Sequence, residues 1–324
     1  MRDVLVTGGA GYIGSHVCKA LPEKGYTPIT IDNLSTGNHL AVKWGPFFEG
    51  DIDDQTLVRN ILEKYPICGV IHLAAYSNVR ESLRTPLKYF QNNVGATLKF
   101  LEVLIEKKIT PFVFSSTCAV YGMPKKVPIY ETHPKSPINP YGESKLMVEK
   151  ILQTMPDLKV AILRYFNAAG ADLEGEIGES HDPETHLIPI LIQTAMGKRK
   201  TFTLNGEDHE TDDGTPVRDF IHVTDLAHAH VLALEKLIKE KGNLILNLGS
   251  GMGYSVRAVI SLVEKRGETK IPIKVSARFS GDPPILIANE KKAKQTLDWN
   301  PHYDLSTMIE TAWNWHQEKI EIGS

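Results

Sequence analysis

The feature that most constrains this chain is a glycine-rich turn near its amino terminus, between two short apolar runs. Residues 4–6 predict a buried strand, Gly8, Gly11 and Gly14 punctuate the turn, and a helix pattern runs from Ser15 towards Gly25. Residues 28–32 then predict a second strand, which ends in an acid. Glycines let a backbone approach a pyrophosphate, and a helix amino terminus offers it free N–H groups. The segment therefore predicts a dinucleotide-binding βαβ unit.

The acid at the end of the second predicted strand is Asp32. A carboxylate there accepts hydrogen bonds from the adenosine ribose hydroxyls and repels a 2′-phosphate. The sequence therefore favours NAD over NADP as the cofactor.

The alternation of strands and helices continues through the first half of the chain. Residues 47–52, 70–75 and 112–117 predict strands, and residues 86–108 predict a long helix. This pattern predicts an α/β fold: a Rossmann-type doubly wound parallel sheet, with a smaller α/β substrate-binding domain at the carboxyl terminus. Ligands of such sheets bind beyond the carboxyl ends of the strands, where Asp51, Ala74, Ala75 and Thr117 lie.

The pattern loosens after residue 166. Residues 187–196, 254–265 and 305–319 predict helices, and residues 201–204 and 244–248 predict short strands. We therefore expect an NAD-binding domain over residues 1–166 and a mainly substrate-binding domain over residues 167–324. The pattern leaves open whether some strands and helices of the second part return to the first.

A second chemical motif lies on the helix that Asn139 and Pro140 are expected to begin. Tyr141 and Lys145 are four residues apart and so share one helix face. An ammonium beside a phenol favours the phenolate and lowers its pKa towards neutrality, which suits a general base. The pair is common by chance, so its interpretation depends on the nucleotide-binding context around it.

Composition excludes several classes of function. The 324 residues carry a formal charge of −3, which gives no electrostatic argument for binding nucleic acid or an anionic membrane. No window approaches the roughly 18 apolar residues of a membrane span. The three cysteines are scattered and odd in number, which favours a reducing cytoplasm over a disulfide framework.

Together these motifs resemble the extended short-chain dehydrogenase/reductases and, within that family, the UDP-glucose 4-epimerases. The resemblance covers nearly the whole chain. Its further motifs are Gly50-Asp51-Ile52, Asn92-Asn93-Val94, Ser115-Ser116-Thr117, Val120-Tyr121-Gly122, Tyr165-Phe166-Asn167, Asp213-Gly214, residues 217–223 and Gly281-Asp282.

The resemblance implies a reaction at C4 of a UDP-hexose, with NAD retained between turnovers. Tyr141 would take the proton of the 4-hydroxyl, Lys145 would lower the tyrosine pKa and hold the nicotinamide ribose, and Thr117 would bond the reacting oxygen. The 4-keto sugar would then turn its other face before it is reduced again. The expected catalytic residues are thus Tyr141, Lys145 and Thr117.

The resemblance also implies two sets of binding residues. Those expected to contact the cofactor are Gly8, Gly11, Tyr12, Ile13, Gly14, Asp32, Asn33, Asp51, Ile52, Leu73, Ala74, Ala75, Ser77, Asn92, Ser115, Tyr141, Lys145 and Tyr165. Those expected to contact the UDP-sugar are Ser77, Thr117, Tyr141, Asn167, His186, Leu187, Thr203, Asn205, Arg218, Arg278, Asp282 and Leu286. No metal is expected, because the histidines lack cysteines at metal-binding spacing and the implied chemistry needs none.

The chain departs from the family pattern at several substrate positions. Ser77 replaces a common lysine and His186 a common asparagine, while Phe279 stands where a phosphate-binding arginine is frequent, with Arg278 beside it. Leu286 stands where some members carry a bulky tyrosine at the sugar gate. A smaller gate there would admit N-acetylated sugars.

Other functions remain open. A nucleotide-sugar dehydratase or decarboxylase would share the 4-keto step, but Cys118 and Ala119 occupy the places where dehydratases commonly carry a carboxylate. A UDP-glucuronate epimerase would need cations near C6, for which Arg80 and Arg84 are candidates. A non-catalytic NAD-binding regulator would predict a broken Tyr141, Lys145 and Thr117 set.

We expect a homodimer, in which the helix after Pro86 and the Tyr141 helix form a four-helix bundle.

Overall fold

The computed structural model describes residues 2–240, 242–279 and 281–322, with side chains through residue 318. The strands are β1 (Arg2–Thr7), β2 (Tyr26–Asp32), β3 (Phe47–Glu49), β4 (Ile67–His72), β5 (Pro111–Thr117), β6 (Lys159–Tyr165), β7 (Asn167–Ala169), β8 (Phe202–Asn205), β9 (Val217–His222), β10 (Leu244–Leu248), β11 (Gly253–Ser255), β12 (Ile273–Ser276) and β13 (Ile285–Leu286). The helices are α1 (Tyr12–Glu23), α2 (Gln55–Lys64), α3 (Val79–Arg84), α4 (Pro86–Tyr89), α5 (Thr97–Glu106), α6 (Pro140–Gln153), α7 (Leu187–Ala195), α8 (Val223–Lys239), α9 (Val256–Gly267), α10 (Lys291–Leu297) and α11 (Leu305–Ile322).

The central sheet has seven parallel strands in the order β10-β6-β5-β4-β1-β2-β3. The strand order reverses between β1 and β4, so the crevice beyond their carboxyl ends is the expected ligand site of a doubly wound sheet. The predicted Rossmann-type fold is confirmed.

Apolar residues cover both faces of this sheet. On one face α1 and α8 pack together, with Val17, Leu21 and Leu234 in the core. On the other, α2, α5 and α6 contribute Val58, Leu104 and others. Because both faces are buried, the strands are continuous apolar runs rather than alternating ones.

The carboxyl-terminal half does not form a wholly separate sheet. Its strand β10 pairs parallel to β6 at the edge of the central sheet, in the register Leu244 to Ala161. The remaining strands form a small sheet around β9, flanked by β11, β13 and β7, and a pair of β8 with β12. Helices α7, α9 and α11 surround their own core, which includes Leu191 and Trp313. These small sheets face the carboxyl edge of the central one.

The boundaries differ from the predicted ones at several strand ends. Strand β3 ends at Glu49, so Asp51 and Ile52 lie in the following loop rather than in the strand. The long helix after Pro86 is continuous but has a π-helical segment over Phe90–Ala96, between α4 and α5. Among the described residues, no helix has both the length and the apolar character that crossing a bilayer requires.

Candidate active site

A cavity of about 1160 Å³ lies at the carboxyl edge of the central sheet and is lined by both halves of the chain. All of the predicted cofactor and substrate residues line it except Ser115 and Arg278. The fold thus brings together groups that are up to about 280 residues apart, from Gly8 to Leu286. The side chain of Ser115 instead lies beneath the site, where its hydroxyl bonds His230 Nε2 at 2.8 Å.

The glycine turn forms the floor of one end of this cavity. Gly8 has a φ of +73°, and a Cβ there would lie 2.7 Å from the backbone nitrogen of Ala74. A Cβ at Gly14 would lie 2.0 Å from the carbonyl oxygen of Gly8. The turn therefore admits only glycine at both positions, and it leaves the backbone exposed to a ligand at the beginning of α1. This arrangement fits the pyrophosphate of a dinucleotide.

Asp32 braces the same turn from the end of β2. Its carboxylate accepts hydrogen bonds from the backbone N–H groups of Ala10 at 3.0 Å and Leu34 at 2.8 Å. Burial raises the pKa of Asp32, and these two bonds act in the opposite direction. Beyond it, Asn33 donates to Asp51 at 2.5 Å, which ties the loops after β2 and β3 together. The position of Asp32 in the cavity wall agrees with a role at the adenosine ribose.

The catalytic candidates lie on the first two turns of α6 and the end of β5. Asn139 caps α6 by accepting from the N–H of Gly142 at 2.8 Å. Tyr141 and Lys145 are both buried in the cavity wall, and the Thr117 hydroxyl hydrogen-bonds the tyrosine. Lys145 Nζ donates to the carbonyl oxygen of Ser115 at 2.7 Å, so β5 positions it through its backbone. The three residues thus lie together in the cavity wall.

The pKa of Tyr141 differs from the expectation. Burial raises it well above the ordinary tyrosine value; Tyr165 adds to this rise, and the hydrogen bond with Thr117 offsets part of it. Burial also lowers the pKa of Lys145 to about 7, against an upward effect of Glu149. The protein alone therefore favours the neutral phenol of Tyr141.

A buried ion pair under α6 was not recognised in the sequence. Arg164 on β6 and Glu149 on α6 are 1% and 0% exposed and lie 2.6 Å apart. Ser116 also donates to Glu149 at 2.5 Å, and Arg164 donates to the Tyr121 hydroxyl at 3.0 Å. This network fixes the helix that carries Tyr141 and Lys145. The only signal for it in the sequence was Glu149, four residues after Lys145 on the same helix face.

The opposite wall carries the cationic groups. Arg218 on β9 donates to Asp282 at 2.7 Å, and both line the cavity. Arg278 is not part of the lining: its guanidinium lies 3.6 Å from Asp208 and is half exposed. The sequence did not predict the position of Arg80. In the structure Arg80 lines the cavity, and its guanidinium lies 4.2 Å from the centre of the Phe279 ring. Burial lowers the pKa of Arg80, which Asp282 partly offsets.

A loop at the mouth of the cavity holds two acids and two histidines. Glu179, His181, Glu184 and His186 all line the cavity, and His181 Nδ1 lies 3.0 Å from Glu179 Oε1. His186 Nδ1 makes a short contact with the same carboxylate. The carboxylates raise the pKa of both histidines, and although burial acts to raise the pKa of Glu179, the histidines lower it. His186 also precedes α7, whose first residue, Leu187, lines the cavity.

Comparisons with known proteins agree with this geometry. Residues 4–249 match the model of the "NAD dependent epimerase/dehydratase family". A UDP-glucose 4-epimerase of Rhizobium leguminosarum bv. trifolii is 48% identical over 97% of both chains. The crystal structure of UDP-glucose 4-epimerase from Brucella ovis in complex with NAD superposes with a TM-score of 0.94 at 47% identity, covering 97% of this chain and 98% of that one. The UDP-Glc/GlcNAc 4-epimerase of Campylobacter jejuni superposes with a TM-score of 0.85 at 37% identity, covering 98% and 100%. The family resemblance seen in the sequence is confirmed.

Proposed function

Because this chain belongs to the NAD dependent epimerase/dehydratase family, we propose that it interconverts UDP-glucose and UDP-galactose through a 4-keto sugar. The observation that carries this proposal is the shared cavity. It joins the glycine turn, the Tyr141, Lys145 and Thr117 group, and the Arg218 wall. A dinucleotide and a nucleotide sugar therefore reach the same catalytic tyrosine from opposite ends.

The cofactor side of the cavity fits NAD. Gly8, Gly11 and Gly14 would hold the pyrophosphate, Asp32 the adenosine ribose, and Lys145 the nicotinamide ribose. When bound, NAD supplies the acceptor and donor of hydride, and its oxidised ring carries a positive charge. The protein's own part in the reaction is to accept the proton of the sugar 4-hydroxyl and to return it.

Tyr141 holds that proton. Its phenolate accepts the proton of the 4-hydroxyl, and the resulting phenol returns it to the 4-oxygen when the sugar is re-formed. Burial opposes the phenolate, so Lys145 and the charge of the cofactor are needed to favour it. The Thr117 hydroxyl, beside the tyrosine, orients the reacting oxygen. Since proton removal and return occur at one oxygen, one tyrosine serves both halves of the reaction.

The UDP group is held by the opposite wall while the hexose turns. A diphosphate needs fixed cations, and guanidinium groups suit it because they donate in pairs. Arg218 is one such cation. Arg80 is the second: it faces the cavity, and its guanidinium is seated on the ring of Phe279. It thereby replaces the arginine that Phe279 displaces, a role that the exposed Arg278 is less well placed to take.

The competing reactions find less support in this cavity. Elimination of water needs an additional acid or base next to the catalytic threonine. Cys118 and Ala119 line the cavity there, and burial raises the pKa of the Cys118 thiol to about 12. A glucuronate carboxylate would need cations near C6; of the two candidates on α3, Arg84 is outside the cavity lining, and Arg80 is the proposed partner of the diphosphate.

A second candidate substrate is UDP-N-acetylglucosamine. Leu286 lies in the cavity wall, and its backbone is fixed by pairing of β13 with Arg218 on β9. A leucine leaves more room at this position than a tyrosine would. The Campylobacter jejuni relative, described as a UDP-Glc/GlcNAc 4-epimerase, shows that this fold can act on both sugars.

The active form is a homodimer in the cytoplasm. Leu87, Leu98 and Ile105 lie along one face of the long helix after Pro86 and are 71%, 39% and 41% exposed. An apolar stripe of this kind on a helix is typical of an interface. Met147 on α6 is also exposed, as the predicted four-helix bundle requires. The three cysteines are free, which fits a reducing compartment.

The experiment that tests the proposed function is incubation of the purified chain with UDP-galactose alone. We expect UDP-glucose to appear, at a ratio set by equilibrium, without added NAD, because the cofactor remains bound. Chromatography of the nucleotide sugars measures it. Release of a 4-keto-6-deoxy sugar would instead favour the dehydratase. No conversion, with or without added NAD, would overturn the proposal.

A further inference from the structure

The loop at the cavity mouth gathers four metal-ligating side chains within eight residues. Glu179, His181, Glu184 and His186 each offer one ligand atom, and these atoms all lie within 4.8 Å of one another. This cluster was not expected from the sequence, because the two histidines are five residues apart and no cysteine is near them. The fold brings them together by curling the loop before α7.

The distances suit a small tetrahedral ion. Ligands about 2.0–2.2 Å from a tetrahedral zinc ion lie roughly 3.3–3.6 Å from one another. His181 Nδ1 is 3.0 Å from Glu179 Oε1, and both histidine Nδ1 atoms are 3.9 Å from Glu184 Oε1. The two imidazole rings meet edge to face with centroids 5.4 Å apart. Small movements of these side chains would bring the four ligand atoms to equal distances from a single ion.

The loop is held in this shape by contacts outside the cluster. The Glu184 carboxylate accepts from the backbone N–H groups of Thr185 at 2.7 Å and His186 at 2.9 Å. Trp315 donates to the carbonyl oxygen of Glu179 at 2.8 Å, and Arg199 to that of Glu184 at 3.2 Å. Ligands that are already positioned bind an ion with less ordering cost than free ones.

One buried atom of the cluster has no protein partner. The side chain of Glu184 is 2% exposed, yet its Oε2 makes no hydrogen bond. A buried carboxylate oxygen without a partner is unfavourable unless a cation or a water satisfies it. A cation in the cluster supplies that partner through a bidentate contact.

We propose that Glu179, His181, Glu184 and His186 form a zinc site at the mouth of the substrate cavity. Two imidazoles and two carboxylates match the preferences of Zn²⁺, whereas Mg²⁺ and Ca²⁺ favour sites made of oxygen alone. The ion links the loop to the amino terminus of α7 and so fixes the His186 and Leu187 part of the cavity wall. It has no role in the proton transfer at Tyr141. The site does not depend on the proposed function.

The test is a zinc titration of the chelator-treated protein, with its NAD retained, against a chromophoric competitor. We expect one Zn²⁺ per chain and a higher thermal unfolding midpoint on binding. His181→Gln and Glu184→Gln should each weaken binding by about 100-fold or more, since each removes one ligand of four. His39→Gln is the matched control, because His39 is exposed and lies outside the cluster.

Titration with Co²⁺ gives a second measurement on the unaltered chain, in case a variant fails to fold. A tetrahedral site with two nitrogen and two oxygen ligands should give visible absorption bands that Zn²⁺ then displaces. The absence of these bands would overturn the proposal. So would binding that is equally weak in the unaltered chain and in the His181 and Glu184 variants. In either case the two histidines would instead be protonated and paired with the carboxylates of Glu179 and Glu184, and any zinc found would be an adventitious ion only.

Discussion

The two walls of the cavity are built in different ways. The cofactor wall consists of strand ends and the first turns of α1 and α6, and it is fixed from beneath by the closed Glu149 and Arg164 pair. The substrate wall is assembled from β8, β9, β13, α3 and α7 together with the loops between them, and its ion pairs, such as Arg218 with Asp282, lie open to the cavity. In the proposed function, the proton transfer thus takes place at the wall that a buried ion pair fixes, and the choice of substrate is made at the wall whose ion pairs face the cavity.

The largest effect is expected at the centre of the cofactor wall. Tyr141→Phe removes the hydroxyl that carries the proton but keeps the ring. We expect turnover of UDP-galactose to fall by about 10²–10⁴-fold, the usual range for a lost general base. Bound NAD, measured from its absorbance after denaturation, should be unchanged.

Tyr130→Phe is the control, since Tyr130 is 52% exposed and lies outside the cavity. It should leave turnover unaltered. If Tyr141→Phe also keeps most of its turnover, Tyr141 is not the base, and the cofactor wall would have no identified group to accept the proton.

The next effect concerns the rigidity of that wall. Glu149→Ala leaves the Arg164 guanidinium buried without its carboxylate, so we expect the free energy of unfolding to fall by about 3–5 kcal/mol. Urea denaturation followed by circular dichroism measures it. Glu106→Ala breaks the solvent-exposed pair with Arg59 and should leave the free energy of unfolding nearly unchanged. Equal effects of the two substitutions would show that the network does not hold α6 in place.

The sequence predicted the cofactor wall better than the substrate wall, for physical reasons. Asp32 and Tyr141 belong to regular elements and Gly8 to the turn between two of them, and the period and caps of these elements are visible in the sequence. The parallel sheet then dictates where these elements end. The burial of Tyr141, which raises its pKa, depends on packing from several segments and was not predictable from the spacing to Lys145.

The substrate wall was predicted only by resemblance. Arg278 is adjacent to Phe279 in the chain, and it was therefore the expected substitute for the missing arginine. In the fold, Arg278 faces Asp208, while Arg80, almost 200 residues away, reaches the Phe279 ring. A contact between α3 and a distant loop arises from tertiary structure and leaves no periodic signal. The Glu179 and His186 cluster lies within one irregular loop, which has no period from which its shape could be predicted.

The next prediction tests whether Arg80 replaces the arginine that is missing at position 279, and its expected effect is smaller. Arg80→Ala removes a charged hydrogen-bond donor worth about 1.5–3 kcal/mol, so we expect the KM for UDP-galactose to rise about 10- to 100-fold. The value of kcat should change little, because the contact is made equally before and during the reaction. Steady-state kinetics of the epimerase measure both constants.

The double variant Arg80→Ala with Phe279→Arg should recover most of the lost affinity. It removes the guanidinium at position 80 and places one at position 279, the other partner of the Arg80–Phe279 contact. Arg84→Ala, on the same helix but outside the cavity lining, is the control. A larger rise in KM from Arg278→Ala than from Arg80→Ala would reverse the assignment.

The smallest effect is expected at the sugar gate. Leu286→Tyr narrows the wall without disturbing the β13 backbone, so it should discriminate against the N-acetyl group. We expect the ratio of kcat/KM for UDP-N-acetylglucosamine to that for UDP-glucose to fall about 10-fold, as a change of pocket size usually gives. Leu286→Met conserves the volume and should leave the ratio unchanged. If the unaltered chain does not turn over UDP-N-acetylglucosamine, Leu286 does not set the gate, and the substrate wall selects its sugar elsewhere.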